Sequence, residues 1–145
     1  MAIKRMDHAG YVVTDLAAAI AFFVELGMEV EGETTVEGTW VNQLVGLSDV
    51  KANLAFLRTP DGHSRLELST FLSPESTAKP TAAPVNTPGI PRLTFLVDSL
   101  DDTYSRLQRH GATLVGEIAQ YEDIYRYCYL RGPAEVIIGI VEELR

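Results

Sequence analysis

One cysteine, one tryptophan and three histidines stand among 145 residues. A lone thiol, Cys128, cannot close an internal disulfide, so a disulfide-framed fold is excluded. Basic runs are missing too. Twelve Lys and Arg face twenty Asp and Glu, for a net charge of −8. A phosphate backbone would be repelled, which argues against a nucleic-acid partner. No apolar run approaches the ~20 residues a membrane-spanning helix needs, so no membrane partner is expected. No apolar segment follows the basic residues of "MAIKRMDHAG", so no secretory signal is expected there. These absences together lead to the expectation of a cytoplasmic protein. What is present is ordinary for a globular chain: 46% hydrophobic and 22% charged residues. The length suits one domain with a core, or two small modules sharing one.

The chain is written twice. A shift of 84 positions lays Val13 on Val97, Leu16 on Leu100, Gly27 on Gly111 and His8 on Arg92. "HAGYVV" and "RLTFLV" are short, β-branched or aromatic, and read as strands. "TDLAAAIAFFVELG" then predicts a helix. Thr14 or Asp15 caps it, Ala18, Phe22 and Leu26 recur at near-helical spacing, and Gly27 ends it. "DSLDDTYSRLQRHG" repeats the pattern, with Ser99 as cap, acidic residues in the first turn, and Arg109 and His110 in the last.

Three strand-like runs follow each helix. In the first copy they are "TWVNQLV", "ANLAFLR" and "RLELSTF". In the second they are "ATLVGEI", "YRYCYLR" and "EVIIGIV". "TPDGH" and "RGPAE" punctuate them as turns. Each copy therefore reads strand–helix–strand–strand–strand. Between them, residues 73–91 hold five of the seven prolines. Proline lacks an amide donor, so this stretch reads as a linker. The expected layout is a single domain over 1–145: module 1 (about 1–72), the linker (73–91) and module 2 (about 92–145).

A doubled βαβββ unit opening with "DHAGYVVTDLAAAIAFFVELGMEV" resembles the vicinal oxygen chelate superfamily of glyoxalase, bleomycin-resistance and extradiol dioxygenase proteins. "GLSDVKANLAFLRTPDGHSRLELSTF" and "RGPAEVIIGIVEEL" resemble the ends of its two modules. The resemblance implies an α+β fold: paired βαβββ modules forming a cup-shaped mixed sheet backed by helices. It also implies a homodimer, and a divalent metal (zinc, nickel, iron or manganese) held by the first and last strands of each module. In this sequence those four positions are His8, Glu67, Arg92 and Gly139. A fold of this kind hosts many reactions, so it does not identify one.

Strand parity tests the placement, because successive side chains point to opposite faces. Leu66 and Leu68 suit the helix side, which turns Glu67 into the cup. Leu93, Phe95 and Val97 do the same for Arg92, and Ile138 and Ile140 for Gly139. Imidazole and carboxylate are good metal ligands. Arginine is not, because its guanidinium stays protonated and only donates. Glycine supplies nothing. The candidate metal ligands are therefore His8 and Glu67, half of the usual set. A guanidinium at ~4 Å from a divalent ion would be repelled by several kcal/mol in a protein-like dielectric. Arg92 is better suited to pair with Glu67, or to receive a ligand carboxylate, phosphate or enolate. Glu67 and Arg92 are the candidate catalytic residues.

Other residues have plainer readings. A lone histidine is more often structural than a ligand, and it is the matching family position that raises the functional reading of His8. His63 reads as a turn residue, and His110 as serving a helix end. Tyr125, Tyr127 and Tyr129 share one face, as an aromatic wall or as a packing face, with Arg126 and Cys128 on the other. Trp40 lines the cup or packs beneath it. Two functions are expected. One is a lyase, isomerase or oxygenase acting on a small organic molecule, metal-assisted through His8 and Glu67 or with Glu67 as general base. The other is a metal-free small-molecule binding protein of the bleomycin-resistance type.

Overall fold

A computed structural model describes residues 2–145. The chain divides into two compact units, Met1–Lys79 and Pro80–Arg145. Each is a mixed α+β unit whose first strand runs parallel to its last, all other pairs being antiparallel.

In the first unit β1 (Ala9–Val12) leads into α1 (Leu16–Leu26), then β2 (Glu29–Glu37), α2 (Thr39–Val45), β3 (Lys51–Arg58) and β4 (Arg65–Ser73). The sheet order is β1-β4-β3-β2. Asp15 caps α1 by accepting the Ala18 amide at 3.0 Å. Gly27 ends it at φ 128°, a conformation that disfavours a side chain. Its amide returns to Phe23 and Val24. The buried stripe is Ala19, Phe22, Phe23 and Leu26, so Ala19 replaces the expected Ala18. This stripe packs on β4, where Leu66 and Leu68 are buried. Fully burying each such large side chain contributes about 1.5–3 kcal/mol.

One expected strand is a helix. "TWVNQLV" forms α2, while the strand lies upstream in "EVEGETTVE". β-branched residues suggested a strand, yet Gly38 (φ 105°) and the left-handed Gly46 (φ 70°) bracket a helical turn. Asn42 fixes it further by accepting the Val50 amide at 2.8 Å. Trp40, on α2, is exposed.

In the second unit β5 (Arg92–Leu96) leads into α3 (Leu100–Gln108), β6 (Thr113–Leu114), β7 (Ala119–Tyr121), β8 (Tyr125–Arg131) and β9 (Ile137–Glu143). The order is β5-β9-β8-β6, with β7 also pairing β8. "ATLVGEI" gives only the two-residue β6, and β7 is an additional strand. β9 starts at Ile137, after a tight turn over Pro133–Glu135. Ser99 caps α3 by accepting the Asp102 amide, and Asp101 and Asp102 occupy its first turn. The last-turn base is Arg106, with Arg109 at the cap. Leu100, Leu107, Leu130, Ile138 and Ile140 form the core on the helix side. Beyond Ser73, the last residue of β4, the linker has no strand or helix. Its part from Pro80 on is tied to the second unit where Arg131 donates to the Ala83 carbonyl.

Candidate functional site

In the first unit, helix α1 covers the face carrying Leu66 and Leu68, so Glu67 is turned to the opposite, open face. His8 stands one residue before β1. Its Nε2 lies 3.3 Å from Glu67 Oε2, and its Nδ1 lies 2.8 Å from Asp7 Oδ2. An imidazole thus sits between two carboxylates. One of these contacts is a hydrogen bond in either neutral tautomer; both are in the protonated ring. Both side chains are about one-third exposed, His8 at 33% and Glu67 at 28%, so the pair remains open to a ligand.

The surroundings hold this pair in place. Phe56 meets the His8 ring edge-on, with centroids 5.6 Å apart. The Arg65 guanidinium lies over the same phenyl ring at 5.2 Å. Arg65 also donates to Glu31 at 3.0 Å and approaches Asp7 at 3.6 Å. The hydrogen bond to His8, then that from Arg5, hold the Asp7 carboxyl below the usual carboxylate range. Sequence reasoning missed Asp7 as the second partner of His8. The adjacent "DH" pair was the only available signal.

In the second unit Arg92 opens β5 and is exposed. Its Nη1 donates to the Tyr129 hydroxyl at 3.1 Å, and its Cζ lies 5.3 Å from the center of that ring. Thr94, two residues on, shares a 3.1 Å hydrogen bond with the Tyr127 hydroxyl. Burial, then the Tyr127 hydroxyl, push the Tyr129 phenol up, against the opposing pull of Arg92. The alternate residues of β8 serve the helix side. Cys128 is buried, and Arg126 reaches Asp101 on α3 at 2.9 and 3.1 Å. Within its own unit Glu67 contacts His8, and Arg92 contacts Tyr129. His63 is exposed in its turn, and His110 lies beyond the end of α3.

Strand register relates the two halves of the repeat. Gly10 pairs with Glu67 across β1 and β4, and Thr94 pairs with Gly139 across β5 and β9. Gly139 therefore stands where Glu67 stands in the first unit. A Cβ at Gly139 would lie 2.6 Å from Thr94 Oγ1, so a side chain at that position collides with Thr94. Of the four positions, His8 and Glu67 carry metal donors, whereas a guanidinium and a glycine carry none. Among the described residues no three or more His, Cys, Asp or Glu side chains are grouped to hold a metal ion. The donor set does not fit a four-ligand metal center.

Comparisons with known proteins agree with this architecture. The family profile "Glyoxalase/Bleomycin resistance protein/Dioxygenase superfamily" matches residues 7–129. The crystal structure of a glyoxalase family protein from Bacillus cereus is 47% identical, with a TM-score of 0.95, covering 100% of this chain and 97% of that one. The uncharacterized protein YwbC of Bacillus subtilis is 29% identical over 133 residues, 90% of each chain. The fosfomycin resistance protein FosX of Listeria monocytogenes shares the fold at 13% identity and a TM-score of 0.62, covering 98% of this chain and 92% of that one; it was crystallised with Mn(II) and sulfate.

Proposed function

The chain belongs to the glyoxalase/bleomycin resistance protein/dioxygenase superfamily, and we propose that it binds a small organic anion without a four-ligand metal center. One observation carries this reading. Where the repeat would place a second histidine and a second carboxylate, the chain has Arg92 and Gly139. The guanidinium has five N–H donors, and one is given to Tyr129. The others are free to grip a carboxylate or enolate oxygen in a two-pronged hydrogen bond.

A second reading is an enzyme of the lyase, isomerase or oxygenase type, and the 3.3 Å contact between His8 and Glu67 favors it. Glu67 would take a proton from the ligand as general base, with His8 orienting the carboxylate. A homodimer belongs to both readings, supported by exposed apolar side chains such as Val12 and Leu96. No helix among the described residues is long and apolar enough to cross a membrane. The free, buried Cys128 is consistent with a reducing compartment, and we place the protein in the cytoplasm.

Metal analysis and a ligand screen test the proposal together. Protein incubated with zinc, nickel, iron or manganese and then desalted is expected to retain less than one equivalent. Small organic acids are expected to bind all the same. Stoichiometric metal retention, lost in His8→Ala, would replace this reading with a metal-dependent one.

A further inference from the structure

The open face of the second unit carries an aromatic surface that the proposed anion grip leaves unused. Tyr121, Tyr125, Tyr127 and Tyr129 form a continuous ladder along β7 and β8. Tyr121 and Tyr125 stack at 5.6 Å between centroids, Tyr125 meets Tyr127 edge-on at 6.1 Å, and Tyr127 meets Tyr129 edge-on at 5.4 Å. Arg92 closes one end, over the Tyr129 ring. Its partner there is a phenol rather than a carboxylate, so its charge is not neutralised within the unit.

The hydroxyls cluster at that end. Arg92 donates to the Tyr129 hydroxyl, and the Tyr127 hydroxyl beside it shares a hydrogen bond with Thr94. Arg92 donates to one of the three hydroxyls and a single hydrogen bond joins the other two, which leaves at least one O–H hydrogen for an acceptor outside the cluster. Gly139 pairs with Tyr129 on one side and Thr94 on the other, and Thr94 covers the place where its side chain would begin, so the floor beside the hydroxyls is the Thr94 side chain. The face therefore offers one cation, one spare O–H and a row of aromatic rings.

We propose that this face binds a planar aromatic carboxylate. The carboxylate meets the Arg92 guanidinium and the spare hydroxyl hydrogen, and the ring lies along Tyr127 and Tyr129. A single cation matches a singly charged carboxylate better than a phosphate dianion. Aromatic contacts favor a flat ring over a saturated one of the same size by about a few-fold to tenfold each. This assignment rests on the reading of Arg92 as an anion receiver and narrows the class of ligand.

The test titrates the full chain with 2-naphthoate, cyclohexanecarboxylate and 2-naphthamide by isothermal calorimetry. 2-Naphthoate is expected to bind about tenfold or more tightly than either of the others. Arg92→Gln should weaken 2-naphthoate about tenfold and leave 2-naphthamide unchanged. Tyr129→Phe, which keeps the ring, should retain most of the affinity, and Tyr129→Leu should lose the preference for the aromatic acid. Circular dichroism confirms that each variant is folded. Equal binding of both carboxylates, lost in Arg92→Gln, would overturn the aromatic assignment and leave the broader anion reading standing. Binding of 2-naphthoate that ignores Arg92, or no carboxylate binding at all, would overturn both.

Discussion

Thr94 fills the space in which a side chain at Gly139 would begin, with Oγ1 2.6 Å from an ideal Cβ at that position. The first half of the repeat solves the same packing problem in reverse. There Gly10 lies opposite Glu67, and a Cβ at Gly10 would meet the Glu67 backbone carbonyl at 3.3 Å. A large residue on one strand is accommodated by glycine on the other, and the two units make opposite choices. The carboxylate position of the second unit is thus closed by its neighbor as well as lacking a carboxylate.

Gly139→Ala should therefore destabilise the protein by about 1–3 kcal/mol, the usual cost of overpacking a filled site. Thr94→Ala should relieve part of that cost by removing the Oγ1 and Cγ2 contacts. Chemical denaturation of the two single variants and the double variant measures the coupling. Additive effects would contradict the collision. Gly139→Glu should be worse than Gly139→Ala for the same reason.

The helix α1 cap makes a second, independent prediction. Asp15→Ala removes the acceptor for the Ala18 amide and should cost about 0.5–2 kcal/mol, with the ligand site unaffected. Denaturation midpoints for Asp15→Ala and Asp15→Asn would show it. The asparagine variant should retain most of the cap, and equal losses in both would point to a role other than capping.

Acid stability should depend on Asp101. The hydrogen bonds from Arg126, aided by its charge, hold the Asp101 carboxyl below the usual carboxylate range. A carboxyl depressed in the folded state contributes stability above its unfolded pKa. That contribution is lost as pH falls through the folded value. Stability of the wild type should therefore fall on acidification, and Asp101→Asn should show a shallower fall. The pair is solvent-exposed, so the effect should also shrink at high salt. Denaturation midpoints between pH 3 and 6 at low and high salt would reveal a salt-independent or unchanged slope if this is wrong.

At the alkaline end the tyrosines should behave unequally. Burial pushes the Tyr11 phenol well up, and burial together with the Tyr127 hydroxyl raises Tyr129. A phenol raised on folding contributes stability below its unfolded pKa, which is lost as pH rises from there through the folded value. Absorbance at 295 nm should show late-titrating tyrosines, with the late fraction reduced in Tyr11→Phe and in Tyr129→Phe. A single step at the ordinary phenol range would contradict this.

Much of the fold is legible in local pattern. The repeat, the caps at Asp15 and Ser99, and the alternation that turns Glu67 and Arg92 away from the helices are all short-range signals. "TWVNQLV" misleads because its β-branched residues outweigh the two glycines that bracket it. β2 is hidden because nearly all of its side chains are exposed, so no apolar alternation marks it. The site is legible only in part for a different reason. His8, Glu67 and Arg92 stand out by residue type, but their partners do not. Tyr129 lies 37 positions from Arg92, and the fit of Thr94 against Gly139 depends on a parallel register that local sequence does not specify.

In the proposed function Arg92, and not a bound metal, receives the ligand. The most direct measurement of this is the affinity of chelator-treated protein for a small organic acid, compared between the wild type and Arg92→Gln. Binding is expected to survive the chelator and to fall about tenfold or more in the variant. Binding abolished by the chelator, restored by a divalent metal and indifferent to Arg92→Gln would contradict it.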